Sequence, residues 1–153
     1  MSTGGTNSAL AGLQSDTTRA NLELAWQERV EEAEVLIRAG HLSMGVCLKA
    51  YALEARIKLR ICEHLQLDLL PTACKTHDLA QLIIFTGLVD ELKDPSNSRV
   101  VEYWLILVAF SKDKLNSTRY QPRSQLPLTD CQPLLEAFDD LNEGVFAWLS
   151  RPR

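Results

Sequence analysis

The chain has 153 residues, enough for one ordinary domain with one substantial core. Hydrophobic side chains make up 46% and charged ones 24%, which excludes the disordered and fibrous classes. A net charge of −4 excludes attraction of the whole molecule to nucleic acid or anionic lipid, though not a local basic patch, and no apolar run is long enough to span a bilayer.

Met1 to Gln14 is rich in Gly, Ser and Thr. It lacks the basic start and apolar core of a signal peptide, so residues 1–15 read as a flexible tail and the location as cytoplasmic. A helical domain is expected over 16–150. Ser15 or Asp16 is placed to cap its first helix. Leu22, Trp26, Val30, Ala33 and Ile37 then recur at spacings of three and four, flanked by Glu23, Glu28, Arg29, Glu31 and Glu32. That pattern is an amphipathic helix with one buried face, ended by Gly40.

The second helix is expected from His41 to Leu65. Leu42, Val46, Ala50, Leu53, Ile57, Ile61 and Leu65 share a face that Cys47, Tyr51 and Cys62 widen, so it should meet more than one neighbour. Glu54 and Lys58 stand four apart in the favourable order for a helical ion pair. Pro71 breaks the pattern. Thr76 is placed to cap a short helix with Leu79, Leu82, Ile83 and Phe85, ended by Gly87. Asp90 to Asn97 reads as a charged connection. Val100, Val101, Trp104, Leu105, Leu107 and Val108 predict a third long helix. Asn116 to Leu128, with Pro122 and Pro127, reads as a loop. Thr129 and Gln132 fit a capping box with Pro133 in the first turn, and Leu134, Leu135, Phe138, Leu141, Val145, Trp148 and Leu149 line a final helix. The expected fold is all-α, an antiparallel bundle of four long helices plus one short extra helix.

Cys47, Cys62, Cys74 and Cys131 are scattered without Cys-x-x-Cys spacing, and the first two read as small buried side chains. Cys74 and His77 make half of a zinc site with no second half. There is no Gly-rich phosphate loop and no Ser/His/Asp arrangement.

Ala50-Tyr51-Ala52-Leu53-Glu54-Ala55, then Lys58, then Lys75-Thr76-His77-Asp78-Leu79 opening the short helix, and last the Trp104 helix leading to Arg119-Tyr120, follow one another over roughly Asn21 to Leu149. In this order they resemble the HEPN family (higher eukaryotes and prokaryotes nucleotide-binding), in its short prokaryotic form. The resemblance implies a helical bundle that forms a homodimer, binds RNA or a nucleotide, and needs no cofactor. It also implies a role in toxin–antitoxin or defence systems, with a nucleotidyltransferase-fold partner.

Many members are metal-independent ribonucleases. Their motif is an Arg, then a polar or aromatic residue, with four to six residues between the Arg and a His. The His assists proton transfer and the Arg holds phosphate charge. Here Arg119 and Tyr120 match the start of that motif. Ser124, Gln125 and Leu126 stand where the His belongs, and none of them shuttles protons near neutral pH. His41, His64 and His77 all lie earlier.

The candidate binding residues are therefore Arg119, Tyr120, Arg123, Lys112, Glu54, Lys58 and His77, with Lys114 adding charge. Each has a plainer alternative. Tyr120 could cap the core while Arg119 pairs with a carboxylate. His77 could pack on the second helix and bond a carbonyl. Glu54 and Lys58 could be a surface pair. Three functions stay open: a binding module, a ribonuclease whose catalytic group is displaced, or a dimerisation module whose interface is the apolar helix around Trp104.

Overall fold

A computed structural model describes residues 17–122 and 128–153. The tail, the proposed caps Ser15 and Asp16, Arg123 and the positions Ser124 to Leu126 lie outside them. The described residues form helices and turns, with one isolated bridge between Thr18 and Leu69 and no strand.

Helix α1 (Arg19–Arg38) is capped by Thr18, whose hydroxyl accepts from the Asn21 amide at 3.0 Å. After a turn at Gly40 (φ +85°), helix α2 (Leu42–Leu65) runs back along it. At the turn end, Gly45 lies so close to Ile37 and the Ala33 carbonyl that a Cβ would stand 2.5 Å from the Ile37 side chain. At the other end the Arg19 amide donates to the Asp68 carbonyl at 2.8 Å.

α2 is the axis of the molecule. Val46, Leu53, Ile57 and Ile61 are fully buried, as the wide apolar arc predicts, and burying each such side chain is worth about 1.5–3 kcal/mol. Leu65, at the end of that arc, is exposed. Two buried cations on α2 were not foreseen. Lys49 donates to Glu34 and Asp139, both at 2.5 Å, and Arg56 donates to the Leu149 carbonyl at 2.8 Å.

The short helix α3 (Leu79–Leu82) is capped by Asp78, not Thr76. Asp78 accepts from the Ala80 and Gln81 amides at 2.9 and 3.2 Å, while Thr76 accepts from the Asp78 amide at 3.1 Å. The carboxylate, nearer to the free amides, takes them. A 3₁₀ turn (Ile83–Thr86) then ends at Gly87, as expected. The connection 90–97 is more ordered than its charge suggested. It holds helix α4 (Val89–Lys93) and a 3₁₀ turn (Pro95–Asn97) capped by Asp94. Helix α5 (Ser98–Asp113) follows, and the predicted loop opens with a further helical turn, α6 (Leu115–Thr118).

The final helix is not continuous. Helix α7 (Leu128–Asp139) contains Thr129 rather than being capped by it, so Pro133 lies inside the helix and not in its first turn. The chain turns at Asp140, whose carboxylate accepts from the Asn142 and Glu143 amides at 3.1 and 2.8 Å, and helix α8 (Val145–Leu149) follows. A side chain that offers backbone amides a local acceptor competes with the helix. Leu141, placed by periodicity on the buried face, is therefore 92% exposed. Three helices of 20, 24 and 16 residues, one of 12 and several short ones replace the expected four long helices.

Trp104 packs edge-on to Trp148 at 6.2 Å and is buried, so it is a core residue. Leu105 beside it is the exposed apolar residue.

Candidate functional site

Residues from three distant stretches of sequence meet on one side of α2. Tyr51 and Glu54, three apart on that helix, face outward. The segment leading into α3 supplies His77. The far end of α5, continued by α6, supplies Ser111, Leu115, Asn116 and Arg119. Together they line a cavity of about 190 Å³. A second cavity of about 290 Å³ adjoins it, sharing His77 and Ser111 and reaching Leu79, Val108 and Lys112.

Three polar groups are chained along one wall. Lys58 Nζ donates to Glu54 Oε2 at 3.0 Å, and His77 Nδ1 lies 2.8 Å from Glu54 Oε1. Glu54 and Lys58 are largely covered, with side chains 19% and 12% exposed, whereas His77 is 92% exposed. An ionised carboxylate only accepts, so Nδ1–H donates to Glu54 and Nε2 is the ring nitrogen without a partner among the described residues. Glu54 thus lines the groove, while Lys58 holds it from behind in a pair that follows the helical ion-pair rule. His77 bonds a carboxylate rather than a carbonyl.

Arg119 closes the other end. Its Nη1 donates to the Tyr51 hydroxyl at 3.4 Å, and its guanidinium lies 5.0 Å from the centre of the Tyr120 ring. The hydrogen bond to Tyr51 is the main cause pushing Arg119 further above the ordinary arginine value, so it stays a cation at any working pH. No carboxylate pairs with it among the described residues. Tyr120 is 78% exposed and does not cap the core.

Cys47 lies buried in α2, and burial pushes its thiol up to about 11. It is no nucleophile, since the thiolate is the reactive form. Cys74 is likewise buried.

Of the seven predicted residues, Glu54, His77, Lys112 and Arg119 line these cavities, Lys58 and Tyr120 contact them only through Glu54 and Arg119, and Arg123 lies outside the described residues. Sequence reasoning missed Tyr51 and Ser111. Tyr51 was counted as a widening of the apolar arc, because periodicity alone does not tell a ring that packs from a hydroxyl that supports a cation.

Three larger hollows lie elsewhere, two of them sharing Phe110, Lys114 and Asp130. The larger of those two is about 520 Å³, and the third, of about 530 Å³, lies along Thr18, Glu23 and Leu69. The first two are lined by both a lysine and a carboxylate and the third is mostly apolar, so none matches the convergence of His, Arg and Tyr. Among the described residues no helix is long and apolar enough to cross a membrane. Comparison with protein-family models, with curated proteins and with solved structures gives no match in any of the three.

Proposed function

We propose that this chain is a HEPN-like binding module that takes RNA or a nucleotide in the Arg119 groove. One observation carries this reading: Arg119, a cation without a carboxylate partner among the described residues, lines one cavity with Tyr51, Glu54 and His77. A planar guanidinium suits phosphate oxygens, and the exposed Tyr120 ring offers a face on which a base stacks. The resemblance adds a homodimer arranged as a helical bundle and a nucleotidyltransferase-fold partner, within a toxin–antitoxin or defence system. Fluorescence anisotropy with a labelled single-stranded RNA tests the binding. Arg119→Ala should weaken it at least fivefold, and unchanged affinity would reject the site.

A second reading is favoured by one observation, that His77 shares the cavity with Arg119 although no His follows Arg119 at the family's spacing. In this reading the module is a metal-independent ribonuclease with a displaced catalytic group. His77 Nε2 takes the proton of a ribose 2′-hydroxyl as that oxygen attacks phosphorus, the bond to the 5′-oxygen breaks, and the 5′-oxygen leaves with a proton from water. Glu54 orients the ring and Arg119 holds the phosphate charge. Purified protein should then cleave RNA in chelator and leave a cyclic phosphate, and His77→Ala should abolish it. Intact RNA after long incubation at high protein concentration would leave only the binding role.

A further inference from the structure

The two cavities beside His77 share a wall with a regular spacing. Val108, Ser111, Lys112, Leu115, Asn116 and Arg119 lie three, one, three, one and three positions apart, which is the stripe of one helical face running through α5 into α6. Because both cavities include His77 and Ser111, they join into one trough with Lys112 toward one end and Arg119 at the other. Seven residues separate these cations, roughly 10 Å along the wall at about 1.5 Å per residue.

The carboxylates in the trough are already engaged. Glu54 is held by Lys58 and His77, and Asp78 by the amides of Ala80 and Gln81. Neither Lys112 nor Arg119 has a carboxylate partner among the described residues, so both keep their charge for an incoming anion.

From this we infer that the trough seats a single-stranded oligonucleotide of about three nucleotides, with one phosphate at Arg119 and another at Lys112, rather than a mononucleotide. The inference rests on the binding function proposed above. Successive phosphates on a strand lie further apart than its axial rise of about 3.4 Å per nucleotide, so a short strand of about two to three nucleotides bridges the separation of the cations. The phosphate of one nucleotide reaches only one of them. Tyr120, exposed beside Arg119, stacks on an unpaired base, a face that a duplex does not offer.

Binding of a uridine trinucleotide with both terminal phosphates, of uridine monophosphate and of a duplex RNA is measured by calorimetry at several salt concentrations. The trinucleotide should bind at least tenfold tighter than the monophosphate and tighter than the duplex. Lys112→Ala should weaken the trinucleotide at least threefold, lower the salt slope by about 0.7, and leave the monophosphate unchanged. Arg119→Ala should weaken both ligands. Equal affinity for the trinucleotide and the monophosphate, or a Lys112→Ala variant that binds the trinucleotide normally, would overturn the trough while leaving the Arg119 site standing. Loss of neither ligand on Arg119→Ala would overturn both. Circular dichroism of each variant confirms that a lost affinity is not a lost fold.

Discussion

Lys49 is the residue whose placement the sequence hides most completely. It sits in a run of small and apolar side chains on α2, and its charge suggests a solvated position. Its side chain is 1% exposed, held by Glu34 from α1 and Asp139 from α7. The two acceptors lie fifteen and ninety positions away, so no local pattern announces them. A buried ammonium persists only when its protons are satisfied, and removing it empties a large packed volume as well as the pair. Lys49→Ala should therefore lower unfolding free energy by about 3 kcal/mol in a urea titration. A loss below about 1 kcal/mol would mean that the pair and its packing contribute little. The site residues behave in the opposite way. Arg119, His77 and Glu54 were legible as residue types, through the resemblance, but Tyr51 was not, because its partner Arg119 is sixty-eight positions away.

At the scale of elements, the helices with unbroken apolar stripes were legible and the breaks were not. α1, α2 and α5 follow their stripes within a few residues. The last helix carries an equally good stripe, yet it ends at Asp139, because Asp140 captures the next amides. Turn chemistry of this kind depends on one side chain and leaves no mark on periodicity. Gly87 was legible, and its geometry explains why. It ends the 3₁₀ turn at φ +74°, and an added Cβ would collide with the His64 ring on α2. Gly87→Ala should cost about 1–2 kcal/mol in the same titration, and a neutral effect would show that His64 moves aside freely.

The C-terminal residues are tied back to α4 by a second cluster. Glu91 accepts from Arg153 Nε and Nη2 at 2.7 and 3.0 Å and from Trp148 Nε1 at 3.1 Å. The Arg153 hydrogen bonds, foremost, hold the Glu91 carboxyl below its usual range. A carboxyl that is lowered in the fold stabilises it above its unfolded value, and that contribution fades as pH falls through the folded value. Stability should therefore decline as pH drops below the usual glutamate range. Glu91→Gln should flatten that decline, as read by melting temperature against pH. An identical acid slope in the variant would remove Glu91 from the account.

At the scale of the whole molecule, a net charge of −4 argues against broad electrostatic capture of RNA, so the proposed recognition has to be local. The groove offers cations that no carboxylate among the described residues neutralises, on a wall built from α5 and α6 against α2. Apolar periodicity gave the all-helical class and the resemblance supplied most of the groove. The joining of two cavities into a trough was beyond both, since it depends on how α5 lies against the segment that carries His77.

The most direct test is a two-dimensional amide and side-chain nuclear magnetic resonance titration of the protein with a short single-stranded RNA. The account predicts that the shifts concentrate at Tyr51, His77, Ser111, Lys112, Arg119 and Tyr120. Shifts confined to another face, such as the hollow along Thr18 and Leu69, would contradict it, and so would a spectrum that RNA leaves unchanged.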